Sequence, residues 1–180
     1  MMLVPQEELT KIDNYTEVDR NRLELVGPDL LCAEWLLRNG AAVRFKGQPS
    51  LVSDYNALME IEELPESSQF RVEEIYAKDV QLNFAGFEHM KGCKNVEKIT
   101  LIKCRYINQA CIIRMTYVKE SLKYLEIRSC YNLRDDGLKE LTAFSNLQKL
   151  ILSDLPGVKR KAECKETLQR KLVNCDIQYD

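Results

Sequence analysis

Residues 122–158 read LKYLEIRSCYNLRDDGLKELTAFSNLQKLILSDLPGV, and this stretch decides the fold. Within it Leu122, Leu125 and Ile127 recur as Leu147, Leu150 and Leu152, the L-x-x-L-x-L frame of a leucine-rich repeat. The first copy runs on through Cys130 and Leu133 into Asp135-Asp136-Gly137-Leu138 and Leu141, which predicts a strand, a turn and a short helix in each unit. The frame extends outward at lower quality. Upstream it appears as Val96, Ile99, Leu101, Cys104 and Ile107, and before that as Val72, Ile75, Ala77 and Val80. The steps between Val72, Val96, Leu122 and Leu147 are 24, 26 and 25 residues, and a further step of 25 reaches Leu172, followed by Cys175 and Ile177. One unit cannot bury its own apolar edge, so such units stack. The expected fold class is α/β, with a small, mainly helical N-terminal domain at residues 1–61 and a leucine-rich repeat domain of four to five parallel units at residues 62–180.

The chain has 180 residues, 45% hydrophobic and 30% charged, which is ample for one core. A formal net charge of −2 with intermixed signs argues against nucleic acid as a partner, because phosphate binding needs a basic footprint. No apolar run approaches the roughly 18 residues needed to span a bilayer. The seven cysteines, Cys32, Cys93, Cys104, Cys111, Cys130, Cys164 and Cys175, include no C-x-x-C and are odd in number, which speaks against a zinc site or a disulfide framework. They read as small buried hydrophobes in a reducing compartment. Cys104 and Cys130 take the same slot in successive repeats, facing the turn.

The opening residues MMLVPQEELTKI show neither a secretory signal nor an Arg-rich transit peptide. Thr16, Glu17 and Asp19 suit a helix start, Gly27-Pro28 breaks that helix, and a second runs from Pro28-Asp29 to the stop at Asn39-Gly40, with Trp35 as a core anchor. Residues 41–45, AAVRF, read as a strand, with a turn at residues 46–49 and an extended or short helical piece at residues 51–58. Residues 60–68 read as an acidic connection. The first repeat strand is expected at residues 70–76, with Leu82, Phe84, Phe87 and Met90 on the apolar face of the segment behind it. His89 is the only histidine, and no G-x-S-x-G, phosphate-cradling Gly loop or carboxylate motif is present, so the expectation is that the protein is not an enzyme.

Outward strand positions form parallel rows: Glu74, Tyr76 and Lys78; Lys98, Thr100 and Ile102; Tyr124, Glu126 and Arg128; Lys149, Ile151 and Ser153. This mixture of aromatic, aliphatic and charged groups suits a protein partner, with Tyr76, Lys98, Tyr124, Glu126, Arg128 and Lys149 as the nominated contacts. The alternative is an ordinary solvated sheet face. Near the end, Lys159, Arg160, Lys161, Lys165, Arg170 and Lys171 against Glu163 and Glu166 give a basic helix that suits either a solvated outer surface or contact with anionic headgroups.

The stretch VGPDLLCAEWLLRNGAAVRFKGQ, the tract DYNAL, the segment FAGFEHMKGCKNVEKITLIKCRYI and the phrase LSDLPGVK together resemble the subunit s, or coupling factor B, family associated with mitochondrial ATP synthase. The match covers residues 18–158. It implies a monomeric, non-enzymatic protein at the matrix face of the inner membrane, touching that membrane peripherally. Its partners would be ATP synthase membrane-sector subunits, and its role would lie in coupling proton flow to ATP synthesis. The resemblance also implies a magnesium ion between the two domains, held at positions that are here Gly40, which matches the pattern, and Lys78, which departs from it. The family's C-x-C pair, linked to dithiol-reagent sensitivity, is here Ile102 and Cys104, leaving one thiol. Two further roles fit the repeat architecture: an assembly factor for the membrane arm of respiratory complex I, or a cytosolic adaptor.

Overall fold

The computed structural model describes residues 17–180, so the N-terminal dozen and Thr16 lie outside the described residues. Asp19 caps the first helix by accepting from the Arg22 amide at 3.0 Å. Helix α1 (Arg20–Arg38) is two segments joined at Gly27, whose φ of 80° and ψ of 171° no helix contains, with Pro28 opening the second segment. The second segment is buried continuously from Asp29 to Leu37, including Asp29 and Glu34. The helix stops at Asn39, and Gly40 follows with φ 84°.

Strand β1 (Ala42–Phe45) pairs antiparallel with β2 (Val72–Lys78), Ala42 opposite Tyr76. The intervening chain holds α2 (Tyr55–Glu62) and a 3-10 turn at Ser67–Gln69, so the expected acidic connection at residues 60–68 is partly helical. From β2 onward the sheet is parallel, in the order β1-β2-β3-β4-β5-β6, through β3 (Lys98–Ile102), β4 (Tyr124–Arg128), β5 (Lys149–Ser153) and β6 (Asp176–Tyr179). The crossovers carry a 3-10 turn at Gly86–Met90, then α3 (Gln109–Met115), α4 (Asp135–Glu140) and α5 (Lys161–Lys171). This is a repeat-like α/β architecture of one mostly parallel six-stranded sheet and five helices among the described residues.

The frame residues do what the pleat requires of them. Ile75, Ile99, Leu125 and Leu150 are cross-strand neighbours and all are buried, as are Ala77, Leu101, Ile127 and Leu152. They belong to one contiguous core that also takes in Leu30, Trp35, Leu36 and Phe45. The residue after each of four strands, Asp79, Lys103, Ser129 and Asp154, has φ between 48° and 56°. That repeated left-handed residue turns the chain off the sheet, while the amides of Asp79, Lys103 and Ser129 bond to the next strand's Ile102, Arg128 and Ser153 carbonyls at 2.9, 2.9 and 3.1 Å. Two residues beyond β3 and β4, the Cys104 thiol lies 3.5 Å from the Ala77 carbonyl and the Cys130 thiol 3.8 Å from that of Leu101. The slot needs a small group able to donate weakly to the end of the preceding strand, and cysteine meets both requirements.

Three expectations are corrected. The first repeat strand is Val72–Lys78, shifted two residues from 70–76 because the Val72 amide is held by the buried Asp29 carboxylate at 2.8 Å. Phe84 is 46% exposed, stacked under the Arg114 guanidinium, while Leu82, Phe87 and Met90 go into the core. Thr100 and Ile151 point outward with their rows but are buried, because the longer side chains on the flanking strands close over them. The reading of the cysteines as small buried hydrophobes is borne out for six of the seven, Cys175 being half-buried.

Candidate functional site

The outward rows lie in register across the sheet. One runs Arg44, Glu74, Lys98, Tyr124, Lys149, Asp176, and the next Ala42, Tyr76, Thr100, Glu126, Ile151, Gln178. Lys78, Ile102, Arg128 and Ser153 form a third.

Four of the six nominated contacts form a connected chain of polar groups. Arg44 pairs with Glu73 and reaches Glu74 at 3.1 Å, and Glu74 also receives the Lys98 ammonium at 2.9 Å. That ammonium stands 5.2 Å from the centre of the Tyr124 ring. The Tyr124 hydroxyl donates to Glu126 at 2.6 Å, Glu126 pairs with Arg128, and Arg128 reaches the Ser153 hydroxyl at 3.4 Å. Lys149 stands apart with Asp176 at 3.4 Å, and Tyr76 is half-buried between Ala42 and Thr100. Partial burial raises the pKa of Glu74, but hydrogen bonds and charge from Lys98 and Arg44 outweigh it and hold the group below the usual range. Glu126 is lowered in the same way, burial being overcome by Tyr124 and Arg128. Burial and the Glu126 carboxylate push Tyr124 up to about 12, so it remains a donor at neutral pH. The result is a polar face whose charges are largely paired within the face and whose Tyr124 ring is held between Lys98 and Glu126.

Sequence reasoning missed Arg44, Glu73 and Asp176. Arg44 alternates outward in AVRF, which is a visible signal, but its place beside Glu74 depends on β1 pairing antiparallel with β2, which no local pattern announces.

His89 lies on the other side of the sheet. Its ring stacks on Trp35 at 5.4 Å and 10°, and its Nδ1 lies 2.9 Å from the Gly86 carbonyl. Burial lowers its pKa. These contacts pack the ring rather than aim it at a nucleophile. Gly86 is required here, since a β-carbon would fall 2.6 Å from Trp35 Cε2.

Gly40 and Lys78 face one another if the β1–β2 register is continued by two residues from Ala42 opposite Tyr76. They do not fit the magnesium that the resemblance implies. The Lys78 side chain offers a cation and no acceptor oxygen, whereas magnesium is held through carboxylates and waters. Among the described residues no group of three or more His, Cys, Asp or Glu is placed to hold a metal. Gly40 is accounted for by its φ of 84° at the helix stop.

Helix α5 buries Cys164 and Leu168 and leaves most of its basic residues in solvent. Several of these have partners: Arg160 with Glu163 at 3.4 Å, and Lys161 over the Tyr179 ring at 4.9 Å. Among the described residues, no helix is long and apolar enough to cross a membrane.

Fold and face define a repeat-like α/β protein that presents a broad, ion-paired sheet surface. No family model matches the chain. It is 39% identical over 171 residues to the ATP synthase subunit s, mitochondrial, of Bos taurus and 40% identical over 171 residues to that of Mus musculus, covering 92% of this chain and 82% of each relative. The protein of the same name from Homo sapiens is 37% identical over 168 residues, covering 91% of this chain and 81% of its own. The chain belongs to the family of mitochondrial ATP synthase subunit s.

Proposed function

We propose that the chain is a non-enzymatic accessory subunit of mitochondrial ATP synthase. It acts at the matrix face of the inner membrane, where a short leucine-rich repeat stack recognises a membrane-sector subunit and supports the coupling of proton flow to ATP synthesis. The observation that carries this reading is identity of 37–40% over 91–92% of the chain to relatives named as subunits of that complex. The face around Tyr124 supports it, because side chains already paired within the face lose little conformational freedom on binding. Residues 1–61 act in this reading as a cap that supplies β1 to the first repeat strand.

The test is a native gel of detergent-solubilised mitochondria from cells carrying the tagged chain, with co-migrating proteins identified by mass spectrometry. Co-migration with ATP synthase is the expected outcome, weakened by Tyr124→Ala with Lys98→Ala. Co-migration with intermediates of the complex I membrane arm, or with cytosolic partners, overturns the assignment.

A further inference from the structure

The first segment of α1, residues 20–26, is held differently from the rest of the helix. Residues 29–37 are buried throughout, whereas none of residues 20–26 is buried and Leu25 is 79% exposed. The segment, with residues 17–19, borders three clefts, of about 570, 150 and 440 Å³. The largest runs between Val18 and Leu23 on the segment and Leu31, Ala85, His89 and Arg114 on the body. Its joint is Gly27, where a β-carbon would meet nothing within 4 Å, so the surroundings leave room for the backbone to turn.

One side chain fastens the segment to two other elements. The Arg22 guanidinium donates to Glu34 at 2.8 Å and also pairs with Glu62 on α2. The two carboxyl side chains are only 5% and 9% exposed and share the same guanidinium, while Glu62 Oε1 has no donor among the described residues. A buried carboxyl oxygen beside a second carboxyl group is satisfied when it carries a proton and donates it.

We propose that residues 20–26 form a hinged flap over the cleft beside His89, latched by Arg22 on the Glu34–Glu62 pair and loosened when that pair takes up a proton. With both carboxylates ionised, Arg22 bridges two anions. With one proton shared between them, it faces a single net charge. Burial and the Glu34 carboxyl raise Glu62 to about 7, while Arg22 lowers it. Arg22 lowers that value, so by linkage proton uptake weakens the hold of Arg22 on the pair. Among the described residues, the other charged or titratable groups facing the pair include Arg38, 3.7 Å from Glu34, and His89, whose pKa burial lowers. Asp19 and Glu17 border the adjoining cleft, and Tyr55 meets the pair's surroundings through its bond to Arg38 at 2.6 Å.

Hydrogen exchange of the whole chain at pH 6 and pH 8, corrected for the chemical rate, reads the flap directly. Protection of residues 23–26 is expected to fall by about fivefold at pH 6, the size of one partly buried ion pair, with β3 unchanged. Glu62→Gln, which keeps the shape and removes the charge, is expected to show the low protection at both values. Arg22→Gln, at a one-third exposed position, should do the same and serves if the first variant does not fold. His89→Gln should retain the wild-type dependence. Equal protection of the wild-type segment at both pH values, a pH dependence that survives Glu62→Gln or Arg22→Gln, or one abolished by His89→Gln overturns the proposal.

Discussion

At the scale of single residues, the sheet face is stabilised by carboxylates held in ionised form. Glu74 and Glu126 have folded-state values below the ordinary Glu value of about 4.3. Their contribution is therefore complete above that value and is lost as pH falls through the lower folded one. Glu126→Gln is expected to cost about 1 kcal/mol at pH 7 and to shrink the difference between urea midpoints at pH 7 and pH 3. Unchanged midpoints would show that the Tyr124–Glu126–Arg128 chain contributes nothing. Gly157 is a second sensitive residue: a β-carbon there would strike the Leu133 carbonyl and lie 2.8 Å from that of Tyr131. Backbone cannot move aside as a side-chain tip can, so Gly157→Ala is expected to lower stability by about 1–3 kcal/mol in urea unfolding.

At the scale of elements, the sequence announces some parts and conceals others for physical reasons. The parallel strands were legible because the pleat repeats every two residues and the unit every 24 to 26, so Ile75, Ile99, Leu125 and Leu150 had to share a layer. The break at Gly27-Pro28 and the stop at Asn39-Gly40 were legible because they rest on backbone geometry that local residue types dictate. The antiparallel β1–β2 pair was not, since it joins residues about thirty apart with no periodic signal. The same holds for the latch, whose partners Arg22, Glu34 and Glu62 come from three places in the sequence. Phe84 was misread because an apolar residue between repeats looks the same whether it enters the core or lies under Arg114.

The expected division between residues 61 and 62, which falls inside the last turn of α2, carries its own prediction at this scale. Removing residues 1–61 strips the β1 partner from β2 and uncovers the core that α1 closes with Leu30, Trp35 and Leu36. The fragment 62–180 is expected to lack a cooperative thermal transition and to aggregate through the bare β2 edge. A soluble fragment with a sharp transition would show that the repeats fold without their cap.

At the scale of the whole molecule, the sheet's two sides differ in kind. One presents paired charges and fixed rings across five parallel strands, and the other packs helices, the lone histidine and the single tryptophan into the core or its clefts. The candidate face was legible as a row of outward positions because register follows from the repeat. Its internal pairing was not, because Arg44 and Asp176 come from outside the strands that the rows were read from. Recognition through the sheet face is the central claim, and site-specific photo-crosslinking tests it most directly. A photoreactive residue replaces Tyr124 on the face or, as a control, Ile113, which is 46% exposed on α3. In mitochondria, the crosslink from position 124 is expected to capture an ATP synthase membrane-sector subunit and position 113 to capture none. Capture of that subunit from position 113 and not from 124 would contradict the account.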